Sequence, residues 1–186
     1  MGLTASQLVT LNTDILVTNI VTLQPYVAAI DDQGIADWYN ALAVPDFWVW
    51  KTNAAVGDIF DAVLWANFTP ADAPDNTATW TNRSLACQGK QFNLQTMLLG
   101  RTTIDASKPQ WRTGLQDALT ALPSGAGGAN RSGGWAGVAT ALMRQAWRIE
   151  KLFATGTGSV ASPATMVVEG TLNYLDVARA LRGVGV

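Results

Sequence analysis

Few groups in this 186-residue chain can do chemistry, and the residue types it lacks exclude most catalytic classes. There is no His, and Cys87 is the lone cysteine. Without His there is no Ser-His-Asp or Cys-His catalysis, no imidazole acid–base chemistry and no usual zinc site. One thiol forms no intramolecular disulfide. Carboxylates occur as the neighbours Asp31/Asp32, Asp58/Asp61 and Asp72/Asp75. Only Asp58 and Asp61, three apart, are expected on one helix face. There they could flank a glycosidic bond or hold a magnesium ion. Asp58 also has a plain explanation, because a helix N-terminus favours negative charge in its first turn.

The glycine-rich stretch "ALPSGAGGANRSGGWAGVA" (121–139) looks at first like a phosphate cradle. A Walker loop needs a Lys directly after its last Gly, and no Lys lies between Lys108 and Lys151. A dinucleotide loop needs a third Gly where Asn130 stands, and a strand before it where the pattern here is helical. The stretch therefore reads as a joint between two helices, with Asn130 or Ser132 capping the second. Further on, Arg144, Arg148 and Lys151 stand at i, i+4 and i+7. On one helix they would point together toward an acidic partner or a DNA backbone, or form a solvated face. No cofactor and no metal are expected.

The elements carrying these residues read as mainly α: a helical bundle with a short extended segment and a flexible C-terminal arm. Thr4 and Gln7 form a capping box for a first helix over 5–21, with Pro25 ending that region. A second helix follows Asp32, "PDFWVWK" (45–51) is an extended segment, and a third helix covers 56–65. Three longer helices form the body. The first spans 79–99, with Leu85, Phe92 and Leu99 seven apart and Trp80, Cys87, Leu94 and Leu98 beside them. The second begins at a Ser107–Gln110 capping box with Pro109 in its first turn. The third runs over 134–153. This body is taken as residues 1–154. Residues 155–186 form the arm, with a short strand of Thr165, Met166, Val167, Val168 and Glu169 and a last helix capped by Asn173. An exposed strand of this kind could add to a neighbour's sheet edge.

Composition points to partners. Only 14% of residues are charged against 48% apolar, and eight are Trp. Such surfaces are completed by neighbouring subunits, or else the indoles fill a core. Residues 1–70 hold seven Asp against Lys51 alone, a net of −6, whereas residues 71–186 carry +4. Unlike ends of this sort suit head-to-tail packing of identical copies, and no basic cluster dense enough for a dedicated nucleic-acid binder is present. The longest uncharged runs, Ile15–Ile30 and Leu152–Val168, fall short of the roughly 20 residues that span a bilayer. No membrane partner is expected.

Three stretches carry a resemblance: "DFWVWKTNAAVGDIFDAV" (46–63), "QGKQFNLQTMLLGRTTIDASKPQWRTGLQDALTAL" (88–122) and "WRIEKLFATGTGSVASPATMVVEGTLNYLDV" (147–177). Over roughly Leu8 to Leu181 the chain resembles small virion proteins of tailed bacteriophages, and is similar to head-to-tail adaptors (connectors). The resemblance implies a helical body that forms a homo-oligomeric ring, typically of twelve, under the portal and around the DNA channel. The arm would reach the portal, with tail or nozzle proteins on the other side and DNA passing through without specific contacts. It implies a place in the virion neck, and in the host cytoplasm during assembly, with no enzymatic activity. The first helix, "SQLVTLNTDILVTNIVTL", is less charged than the family's pattern. Two other readings stand beside this one: a head-completion or capsid-decorating protein, and a small helical enzyme using the Asp58/Asp61 pair.

Overall fold

A computed structural model of the chain describes residues 2–72 and 77–183. The fold is mainly α. Contacts divide it into two compact units, one made of Met1–Val49 with Gln145–Val186, the other of Trp50–Arg144. Two short strands, β1 (Trp48–Trp50) and β4 (Met143–Gln145), pair with each other.

The discontinuous unit begins with α1 (Ala5–Thr13), whose capping box forms as the sequence dictates: Gln7 N donates to Thr4 Oγ1 at 3.4 Å and Thr4 N to Gln7 Oε1 at 2.8 Å. The expected single helix over 5–21 is instead three pieces. A π-helical turn, Asp14–Thr18, separates α1 from α2 (Ile20–Ala29). Pro25 lies inside α2 rather than beyond it. Because the helix restarts at Ile20, the bond that proline deletes is one to the carbonyl of Val21, a residue 92% exposed. The β-branched Ile30 then stops α2 in the left-handed region, at φ 56°. Asp31 caps α3 (Asp32–Tyr39), its Oδ1 accepting from Gly34 N at 2.8 Å.

After β4 come α8 (Arg148–Phe153) and α9 (Tyr174–Arg182), the latter capped by Asn173 as expected. Helix α9 packs on α1 and α3. Asn12 Nδ2 donates to the Ala180 carbonyl at 2.9 Å, and Arg182 pairs with Asp32. Leu11, Ile15, Leu23, Ile35, Tyr39, Ile149, Val168, Leu172 and Val177 share one core. Residues 155–183 thus lie within this unit, and the boundary drawn at 154/155 from composition is not the one the contacts draw. The small residues that look like a loose linker are what permit close packing. Gly158 has φ 67°, and a Cβ there would sit 2.2 Å from the Phe47 ring. Its carbonyl accepts Trp48 N at 2.7 Å.

The continuous unit holds the short antiparallel pair β2 (Ala54–Ala55) and β3 (Thr103–Ile104) with helices α4 (Val56–Ala62), α5 (Ala78–Leu98), α6 (Pro109–Leu119) and α7 (Trp135–Ala141). Val56, Ile59, Leu94, Leu98, Leu115, Leu119, Leu122, Val138 and Leu142 lie in its core. The residues on α5 sort by face. Cys87, Leu94 and Leu98 turn inward, while Leu85, Phe92 and Leu99 turn to solvent. Burial pushes the Cys87 thiol pKa up, which keeps it protonated. Ser107 does not cap α6. It donates both its N and its Oγ to Asp105 Oδ1, and α6 begins one residue later with Pro109 in its first turn.

The 121–134 segment is a connection between α6 and α7, pinned by reciprocal backbone bonds between Leu122 and Arg131. The Arg131 guanidinium donates to the carbonyls of Asn67 and Thr69. Its cation is used internally, as a strap rather than a phosphate anchor.

Candidate functional site

The cleft with the most convergent polar chemistry lies in the discontinuous unit. It has a volume of about 450 Å³ and is bordered by Asp14, Trp38, Tyr39, Val44, Arg148 and Lys151. Three local events build it. The π turn carries Asp14 inward, α3 places Trp38 and Tyr39 side by side, and α8 sets Arg148 and Lys151 one turn apart on the same face. The fold of α8 rests on Glu150, which is fully buried. Its carboxylate accepts Trp147 N at 3.0 Å and Gly170 N at 3.3 Å, fixing the start of the helix.

Each polar group in the cleft has a defined task. Tyr39 OH donates to Asp14 Oδ2 at 2.6 Å, and Asn19 Nδ2 donates to the same oxygen at 2.8 Å. Burial first, and then the adjacent Asp14 carboxylate, hold the Tyr39 hydroxyl far above the ordinary tyrosine range. It is a hydrogen-bond donor and never a base. Arg148 lies over the Trp38 ring at 4.2 Å and donates to the Trp38 carbonyl at 2.9 Å, while the Lys151 ammonium stands 5.7 Å from the centre of the Phe47 ring. An anionic group entering the cleft meets two cations beside an indole face. The residues bordering it include the hydroxyl of Thr18 and the amine of Lys151, but no Ser, Cys or His. Among the described residues no three His, Cys, Asp or Glu side chains gather to hold a metal ion.

The structure distributes the residues singled out from sequence differently. One helix over 134–153 would align Arg144, Arg148 and Lys151. Instead, Met143–Gln145 pairs as a strand, and the N–H of Trp147 bonds to Glu150 rather than to a carbonyl four residues back. Arg144 is therefore on β4, in the other unit, and only Arg148 and Lys151 share a face. Thr165 to Glu169 do not form one exposed strand. Thr165 bonds reciprocally with Thr155 through an isolated antiparallel bridge, and Met166 packs against Val49, Ala146 and Ala164. Val167 points outward, Val168 is buried in the core, and Glu169 is exposed. The side chains alternate inward and outward from Met166 to Glu169, but bridge pairing stops after Ala164 and Thr165, so no strand forms.

Asp58 and Asp61 stand exposed on α4. Asp31 is a cap, Asp32 pairs with Arg182, and Asp72 pairs with Arg83 at 2.6 Å. Asp75 lies outside the described residues. Sequence reasoning passed over Asp14, Trp38 and Tyr39 as site residues. The available signal was Asp14 itself, the first charge of the chain, set in an otherwise apolar helical pattern. No helix among the described residues is long and apolar enough to cross a membrane. The chain matches no protein family, no curated protein and no solved structure.

Proposed function

We propose that this protein is a structural subunit of a tailed-phage virion, a head-to-tail adaptor that assembles with copies of itself into a ring beneath the portal. The observation that carries the reading is the set of large apolar side chains left in water. Val21, Leu99, Val44, Val17 and Phe92 are 92, 80, 75, 68 and 67% exposed, and apolar surface of this kind is what partner contacts cover. The eight Trp, seven half-buried and Trp65 exposed, carry no weight here, because so large a side chain is seldom fully buried. The cleft around Arg148 and Lys151 suits an acidic group on a neighbouring protein. The sequence resemblance over 46–63, 88–122 and 147–177 supports the neck as the location.

Native mass spectrometry of the purified protein, together with gold labelling of intact particles, tests this. A ring in solution or on the portal, and label at a single vertex, is the expected result. A monomer at every concentration that also fails to bind a portal overturns the reading, and label spread over the capsid replaces it with a decorating protein.

A further inference from the structure

Two pairs of opposite charge in this chain share one spacing. On α8, Arg148 and Lys151 stand three residues apart and border the cleft. On α4, Asp58 and Asp61 stand three residues apart and are exposed. Three residues amount to about 4.5 Å of helix rise and nearly one turn, so each pair presents its charges side by side.

Both pairs keep bonding capacity. Arg148 uses one N–H on the Trp38 carbonyl and lies on the Trp38 ring, which fixes the guanidinium and leaves most of its fork open. Among the described residues the Lys151 ammonium meets only the Phe47 ring. Other acids are engaged inside the chain: Asp37 accepts from Gln33, Asp46 from Gln145 and Asp105 from Ser107, beside the pairs already described. Among the described residues Asp58 and Asp61 have no hydrogen-bond or ion-pair partner. Asp117 also lacks one, but it has no second acid within a helical turn. Gly57 lies on the same face as Asp61, exposed, with nothing within 4 Å of where its Cβ would be. The acidic face is therefore narrow, and two carboxylates beside bare backbone can enter a cleft that larger neighbours would block.

We infer that Asp58 and Asp61 of one copy dock into the Arg148–Lys151 cleft of the next. This rests on the proposal that copies of the chain assemble in a ring, and it names the two surfaces that meet. Cleft and acidic face are different surfaces. Each copy thus engages one neighbour through its cleft and another through α4, the head-to-tail repetition that a cyclic ring uses. The contact also sets residues of the −6 stretch against residues of the +4 stretch. Asp14 borders the cleft too, but its Oδ2 already accepts from Tyr39 OH and Asn19 Nδ2. One docked carboxylate accepts from the open side of the Arg148 fork, and the other, a turn away, meets Lys151. Once covered, the Trp38 indole and the exposed Val44 exclude water around the ions, where a charge pair gains more than in open solvent. Leu64 and Trp65, exposed directly after α4, add apolar contact at the rim. The charges decide which surfaces meet, and the apolar rim adds area.

Sedimentation velocity on two charge-reversed proteins tests the inference, with circular dichroism to verify that each is folded. Asp58→Lys with Asp61→Lys, and separately Arg148→Glu with Lys151→Glu, should each weaken self-association roughly 10-fold or more, because like charges then face each other. An equal mixture of the two should assemble again, since every contact between unlike variants joins opposite charges. The wild-type protein gives a second readout. A carbodiimide joins a carboxylate to an amine with no spacer. In a mixture of unlabelled and heavy-isotope copies it should link Lys151 of one copy to Asp58 or Asp61 of another, as read by mass spectrometry of the peptides. Assembly unchanged in the α4 variant, no recovery on mixing two folded variants, or a cross-linked ring without that link would overturn the docking and leave the ring reading standing. A wild-type chain that stays monomeric in solution and in the particle would overturn both.

Discussion

The two units place cations on aromatic rings alike but differ in what else holds them. In Trp50–Arg144, Arg101 and Arg112 lie over Trp111 and Trp50 and Arg83 and Lys108 pair with Asp72 and Asp105, while four basic side chains are tied to backbone oxygens. Lys51 reaches the Ala141 carbonyl, Lys90 those of Asp117 and Thr120, Arg112 those of Ala106 and Ser107, and Arg131 those of Asn67 and Thr69. In the other unit, Arg148 and Lys151 are held against aromatic rings and open on a cleft. The excess of +4 over residues 71–186 therefore does not make a basic surface of matching strength. Net charge is a property of the sequence, while available charge depends on which carbonyls lie within reach. The tied cations stabilise loops and helix ends, and the cleft cations remain available to an anion.

Substitutions can break this contrast, and the largest effect is expected at the buried anion of the cleft unit. Glu150→Ala strands the N–H groups of Trp147 and Gly170 and should lower stability by about 3 kcal/mol in urea denaturation. Arg131→Met, in the other unit, leaves the 67–69 carbonyls without their donor and should cost about 2 kcal/mol. Arg148→Met should cost about 1 kcal/mol or less, because its partners are one ring face and one carbonyl. An Arg148 variant as damaging as the Arg131 one would erase the distinction between strap and open cation.

The smallest effects are those of pH. Burial raises the Asp105 pKa, but hydrogen bonds from Ser107 and the nearby Lys108 outweigh it, leaving a net shift below the ordinary 3.8. Its contribution is present above that value and lost as acid protonates the folded carboxylate, so Asp105→Asn should flatten the acid limb of the stability curve. Tyr39 acts at the other end. Its raised pKa means the unfolded chain releases the proton first, and stability should fall as pH rises above 10. Tyr39→Phe should remove that alkaline slope.

Features set by a few adjacent residues were legible in the sequence. The Thr4–Gln7 box, the Asn173 cap, the short strand within "PDFWVWK" and the helix near 79–99 all follow from local chemistry. What was not legible depends on distant partners. The run from Trp135 to Phe153 keeps helical spacing throughout, yet its middle pairs with β1, far away in the chain. The small residues of 155–165 signal freedom until Phe47 and Ala164 close on them. Of the cleft, Arg148 and Lys151 could be read beforehand. Asp14 offered a signal as the first charge in an apolar helical pattern, whereas Trp38 and Tyr39 could not be read, because a tyrosine beside a tryptophan in a short helix looks like ordinary core.

The split of one unit across both ends of the chain has a consequence for synthesis. As the polypeptide leaves the ribosome, α1 to α3 emerge first, but the core they belong to also needs Ile149, Val168, Leu172 and Val177. Trp50–Arg144 emerges whole before those residues are made, so it can fold while the earlier helices wait with their apolar faces unpaired. The nascent protein is most exposed to unwanted association during that interval, which ends when the segment from Ile149 to Val177 has been made and completes the core.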